Sequence, residues 1–338
     1  MLVYANASQR LAPAAVAEHA RRAEAMGYDG LNLPEAVHDG VIAATLALQG
    51  TQRIRVATSV LVAFARSPMA VAMAAWDLQS LSGGRFELGL GAQVRGNVED
   101  RYGVAWSPPI ERMREFVGAL RATFACWADG TPLCFEGEHY RLTRMQPFFA
   151  PEKLASAPPP VILGAVGPKM IALAGEVADG LVTHPTNTHP RYLREVIRPR
   201  LAHGAARAGR EASSIVLKVA PICATGRDDA AVRTVREEKR KNLAFLFSTP
   251  AYWPSLELFG WRERGEELHR RTREKRWSEM TDLVTDEMLD AFVPSAPYED
   301  LPAVLREWYG GLADVLVFPV PEDPSDDAAA ARAIAALR

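Results

Sequence analysis

The chain has 338 residues, 48% of them hydrophobic and 24% charged, with a formal net charge of -2. A near-neutral chain without a basic stripe interleaved with aromatics is not expected to bind nucleic acid, and no apolar run reaches the roughly 20 residues of a membrane-spanning helix. Cys126, Cys134 and Cys223 form no CxxC pair, which fits a reduced, cytoplasmic setting better than a disulfide scaffold.

Leu2 to Ala5 reads as a buried strand entered directly from Met1, with no basic leader before it. Pro13 to Met26 places Val16, Ala20 and Ala23 at helical spacing, and Gly27 ends the helix. A short second strand, Tyr28 to Leu33, precedes Pro34-Glu35-Ala36-Val37-His38-Asp39 and a helix from about Val41 to Gln49. Ile54 to Leu61 is rich in β-branched and apolar residues and reads as the third strand. Pro68 suits the first turn of the helix Met69 to Leu81, which Ser82-Gly83-Gly84 terminates. Arg85 to Gly91 is the fourth strand, so strand, helix and strand make a parallel βαβ unit. Ile110 to Trp127 is a helix. The irregular stretch 129–160 has a small hairpin near Phe135 to Tyr140 and reads as a lid or insertion. Pro160 to Gly164, Asp179 to Thr183, Ile215 to Cys223 and Asp314 to Phe318 are strands five to eight, with helices at Lys169 to Val177 and near Tyr192 to Ala208. A charged, mostly helical insertion fills 228–312, and an alanine-rich helix closes the chain.

Eight strands alternating with helices predict a single α/β domain over 1–338, a closed (β/α)8 TIM barrel with two insertions. The rival, a doubly wound open sheet, lacks a glycine-rich fingerprint after the first strand. In a barrel the chemistry sits at the C-terminal strand ends. That rule selects Glu35 and His38 as a general acid and base pair, with Asp39 as a simple helix cap the competing reading. It also selects Ala165-Val166-Gly167-Pro168-Lys169, where free amides and a helix N-terminus attract an anion. Asn97 can donate and accept hydrogen bonds, and the small Gly91 and Ala92 admit a planar ligand against the backbone. Phe64, Trp106 and His184 are the candidate substrate contacts, with Phe148 and Phe149 as further pocket-lining aromatics or core residues. No ligand set for a metal is indicated. Cys223 reads as a buried structural thiol, and Phe245 to Trp261 as a lid or subunit contact.

Arg53-Ile54-Arg55-Val56-Ala57-Thr58-Ser59-Val60-Leu61, Arg66-Ser67-Pro68 and Asp77 to Gly91 resemble the bacterial luciferase-like superfamily. Pro159 to Pro168 and Ala178 to Leu181 are similar to the same group, and the Gly167-Pro168 turn is typical of its members that use coenzyme F420, a deazaflavin. The resemblance implies a cytoplasmic, homodimeric or larger enzyme that moves a hydride between coenzyme F420 and a small organic substrate. The alternatives are a monooxygenase using reduced FMN and a barrel that binds a cofactor without catalysis. It further implies a non-prolyl cis peptide at Ser59-Val60 behind the cofactor ring, a ring contact from Asn97, and coenzyme phosphate at the 165–169 turn. Many relatives place histidine directly after the acid, where this chain has Ala36. Relatives that oxidise sugar phosphates hold lysines where this chain has Pro185, Thr186 and Asn187, and a carboxylate where it has Val94, so a phosphorylated sugar is not the expected substrate.

Overall fold

The first half of the chain alternates β1 (Leu2–Asn6), α1 (Pro13–Met26), β2 (Gly30–Leu33), α2 (Gly40–Gly50), β3 (Arg55–Thr58), β4 (Leu61–Val62), α3 (Pro68–Ser82), β5 (Phe86–Gly91) and α4 (Pro109–Asp129). A two-stranded hairpin, β6 (Phe135–Glu136) and β7 (Arg141–Leu142), follows. The second half holds β8 (Val161–Ala165), α5 (Pro168–Val177), β9 (Gly180–Thr183), α6 (Pro190–Tyr192), α7 (Arg198–Arg207) and β10 (Val216–Val219). Then come α8 (Asp229–Phe247), α9 (Trp253–Glu257), α10 (Arg262–Arg273), α11 (Asp286–Phe292), α12 (Leu301–Tyr309), β11 (Val315–Val317) and α13 (Asp327–Leu337). These elements come from a computed structural model that describes residues 1–338.

The main sheet runs β3-β2-β1-β11-β10-β9-β8-β5-β4, all parallel, and a β3–β5 pairing closes it. β3 and β4 are two halves of one broken strand, so the closed structure is the expected eight-stranded barrel. The third strand is therefore not continuous to Leu61. It stops at Thr58, the Ser59–Val60 peptide is cis, and pairing with β5 resumes at Leu61. Thr58 bridges the break: its hydroxyl donates to the Gly89 carbonyl (2.8 Å) and accepts from the Gly89 N–H (2.9 Å). β10 likewise ends at Val219, short of Cys223, because Pro221 has no N–H to give a ladder.

Inside the barrel the inward positions are not uniformly apolar. Tyr4, Arg55, Glu87 and Lys218 meet below the C-terminal mouth, where Glu87 accepts from the Tyr4 hydroxyl (3.1 Å), from Arg55 (3.4 Å) and from the Lys218 ammonium. Gly30 faces them because any Cβ there would collide with the Tyr4 ring at 2.5 Å. The outer core lies between strands and helices in the usual barrel manner.

The insertion at 129–160 is a strap outside the barrel rather than a lid over it. Phe135 packs on Gly118 and Tyr140 meets Phe116 edge-on, both on α4. The return path is pinned to α3 by Trp76 donating to the Glu152 carbonyl (3.0 Å) and Gln79 to the Ala157 carbonyl (2.9 Å). The helices between β10 and β11 divide between two cores. α8 to α11 close around Leu243, Phe247, Leu256, Leu268, Met288 and Phe292, whereas Leu301, Leu305 and Tyr309 of α12 join the barrel's own core.

Candidate active site at the barrel mouth

The broken strand shapes the floor of the mouth. Past the cis peptide, Val60 turns inward over two glycines: a Cβ at Gly91 would lie 2.5 Å from its Cγ2, and one at Gly164 3.0 Å from its Cγ1. Gly91 and Gly164 thus give the bulge its room, and Ala92 continues the small-residue run as a half-buried neighbour. Asn97 opens a π-helical turn (Asn97–Arg101) beyond β5. Its Nδ2 donates to the Gln93 side chain (3.1 Å), which leaves its carbonyl oxygen free. Gln93 holds that position from a left-handed backbone, φ 63°.

Across the floor, β8 ends at Ala165 and α5 starts at Pro168. Gly167 is the N-cap, with φ -78° and ψ 151°, and a Cβ built on it meets no atom within 4 Å. The N–H groups of Val166, Gly167 and Met170 make no backbone hydrogen bond. Exposed Lys169 adds a positive charge beside them. Open amides, a helix dipole and a lysine in one turn form an anion cradle.

Glu35 does not stand free at the mouth. Its Oε2 accepts from the Val62 N–H (2.6 Å), and Arg66 clasps both oxygens at 2.9 and 2.6 Å. Arg66 also reaches Asp39 (2.6 Å), which caps α2 through the N–H groups of Val41 and Ile42. Burial opposes the Arg66 charge, but these carboxylates outweigh it and raise its pKa. Glu35 is therefore a strut that ties the end of β2 to β4. Glu35→Ala is expected to cost about 3 kcal/mol, since it leaves a largely buried arginine with a half-exposed partner only. Urea denaturation measures that loss, and an unchanged midpoint would exclude the strut. His38 sits elsewhere, in a shallow groove between α1 and α2 lined by Leu11, Val16 and Ile42. The expected acid and base pair is not assembled, because the strand-end rule places a residue at the rim without setting where its side chain points.

Phe64 is only 1% exposed and belongs to the core, beneath the Arg112 guanidinium at 4.4 Å, so the expectation that it lines a pocket is corrected. Trp106 is half-buried on the loop before α4. Phe148 and Phe149 stack edge-on at the surface, 90% and 65% exposed, and line nothing. Cys223 is buried, and burial pushes its thiol up to about 12, in keeping with a structural role.

His184 ends β9, and its ring stacks on Tyr252 with centroids 4.1 Å apart and planes 12° from parallel. The insertion between β10 and β11 thus reaches the mouth. Burial drives the His184 imidazole down to about 4 from an ordinary 6.5. The unfolded chain takes the proton first as pH falls, so the stability lent by this ring is complete above pH 6.5 and fades towards 4. His184→Gln is expected to flatten that acid limb in urea titrations at stepped pH.

One buried polar residue escaped the sequence analysis, and a second entered it only as a place where relatives hold a lysine. Asn32 is 1% exposed in β2 and neither amide atom has a partner. Asn187 is 2% exposed and donates to the Ala165 carbonyl (3.4 Å), tying the ends of β8 and β9. A lone amide in the otherwise apolar Gly30–Leu33 strand is the signal for the first, and a place just past the C-terminal end of β9 marks the second.

A sequence profile described as luciferase-like monooxygenase matches residues 3–314. An uncharacterized protein of Mycobacterium tuberculosis is 44% identical over 309 residues, covering 91% of this chain and 89% of that one. An F420-dependent glucose-6-phosphate dehydrogenase of Nakamurella multipartita is 32% identical over 218 residues, covering 61% of this chain and 62% of its own. Among solved structures, the coenzyme F420 dependent tetrahydromethanopterin reductase of Methanopyrus kandleri superposes with a TM-score of 0.80 at 20% identity, over 99% of this chain and 96% of that one.

Proposed function

Because the chain belongs to the luciferase-like monooxygenase family, we propose that it is a coenzyme F420-dependent oxidoreductase acting on a small organic molecule. The observation that carries this reading is the turn after β8. Three unused amides, a glycine with open space above it and a lysine suit the phosphate of a long anionic coenzyme. The 32% identity to an F420-dependent dehydrogenase supports the choice of coenzyme.

When bound, the deazaflavin supplies the hydride chemistry. The chain supplies the rest. Val60, in the room that Gly91 and Gly164 leave it, would back the ring from the floor, and the small Ala92 would leave the ring's approach open. Asn97 would offer its free carbonyl oxygen to a ring N–H, with its own amide steadied by Gln93. Glu35 acts as a positioning residue that ties the end of β2 to β4, the outer half of the broken strand. The substrate takes the side of the mouth bordered by His184 and Tyr252.

Fluorescence titration of the purified protein with coenzyme F420 and, separately, with FMN tests the reading. Saturable deazaflavin binding that inorganic phosphate weakens is expected. Tight FMN binding with no deazaflavin binding would overturn it in favour of a flavin monooxygenase.

A further inference from the structure

We propose that His184 is a neutral, tautomer-locked hydrogen-bond donor that holds the oxygen of a ketone or enone substrate and stabilises the charge that grows on it. The inference rests on the oxidoreductase reading above and adds the substrate class.

Inward residues alternate along β9. Gly180 faces the barrel interior, where a Cβ would meet Ile162 at 2.8 Å, and Val182 and His184 continue the same side upward. The His184 Nδ1 lies 3.3 Å from the Thr186 N–H and 2.8 Å from the Thr186 hydroxyl. A backbone N–H can only donate, so Nδ1 is the acceptor and the ring proton resides on Nε2. The stacked Tyr252 ring holds the imidazole in one orientation. Burial keeps it uncharged, and no charged neighbour contributes to that shift. Nε2 makes no hydrogen bond within the protein, while Nδ1 is used up.

Such a ring has one function to offer. It can donate from Nε2, but it has no lone pair free to take a proton. Glu35, the carboxylate expected to exchange protons here, is committed to Arg66 and Val62, so the proton passes to or from water. Reducing a carbonyl needs a donor at oxygen. A bound reduced deazaflavin would supply hydride to the carbonyl carbon; the C=O π pair would then move onto oxygen, where the His184 N–H would face the growing charge. Water supplies the proton that completes the alcohol, because a neutral imidazole is too weak an acid to give up its own.

The test needs no turnover. Long-range nitrogen–proton NMR of protein labelled with nitrogen-15 histidine, assigned by difference from His184→Gln, should show a protonated Nε2 with no titration between pH 5 and 8.5. Cyclohexanone and 2-cyclohexen-1-one, added to protein saturated with coenzyme F420, should move the Nε2–H proton downfield, and methylenecyclohexane, which has no oxygen to accept, should not. His184→Leu should weaken both ketone probes about tenfold, the loss of one hydrogen bond, while His184→Gln, which keeps an N–H near the same place, should weaken them less. A His184 signal that titrates near its ordinary value, or ketones that leave it unmoved in the coenzyme-loaded protein, overturns the proposal with the coenzyme reading intact. Absence of deazaflavin binding in the titration above is the separate failure of that reading.

Discussion

Lys218→Met is expected to remove about 3–5 kcal/mol of folding stability, the largest loss of any single side chain in the barrel interior. Lys218 is 2% exposed and Glu87 5%, on opposite sides of a closed barrel. The ammonium bonds Glu87 and lies 4.5 Å from the centre of the Tyr4 ring, so its charge is met by a carboxylate and an aromatic face. Burial pushes the Lys218 ammonium down and raises the Tyr4 phenol, while Glu87 pulls the ammonium back up. Removing the lysine leaves Glu87 with only the Tyr4 hydroxyl and the 3.4 Å contact to half-exposed Arg55. An unmatched buried carboxylate is far costlier than the pair was worth. The triple variant Tyr4→Phe, Glu87→Leu, Lys218→Met should therefore recover most of the loss, since it replaces the whole cluster with apolar groups. Urea unfolding of the single and triple variants decides the matter. A single variant as stable as the parent would show that the cluster is not a matched unit.

Gly167→Val is expected to lower affinity for coenzyme F420 about 100-fold while costing no more than about 1 kcal/mol of stability. The separation is possible because Gly167 has an ordinary φ of -78° and open space where a side chain would grow. A branched side chain there strains nothing in the protein, but it stands over the Val166, Gly167 and Met170 amides and denies them an anion. Two lost charge-assisted hydrogen bonds account for the factor. Lys169→Ala, which removes only an exposed charge, should weaken binding less and in a way that added salt masks. Parent-like affinity in Gly167→Val would remove the turn from the coenzyme site.

The sequence alone sufficed for the barrel because its signals are local. Apolar runs at Val56, Leu88, Ile162 and Leu181, each followed by a helix with proline or a cap at its start, leave few other folds. What it missed depends on contacts between distant segments. Glu35 looked free because Arg66, its partner 31 residues on, belongs to a different βα unit. Phe64 looked accessible because Arg112, which covers it, lies on α4. The 129–160 stretch looked like a lid because nothing in it announces Trp76 and Gln79 as its anchors. Lys218 and Glu87 could have been found: each interrupts an apolar strand at an inward position, and two opposite charges in that pattern have to meet. The break at Ser59-Val60 came only through the resemblance, since its residues read as plain strand.

The helical unit of α8 to α11 has its own core and touches the mouth through Tyr252 on His184. The grip on the coenzyme is assigned to a turn between β8 and α5 and to the broken third strand, segments that this unit does not build. A graft that exchanges residues 228–293 for another sequence of the same fold can therefore retune which molecules are accepted while the redox partner stays fixed. Selection acting on the same modular division would diversify appetite far faster than it changes fuel.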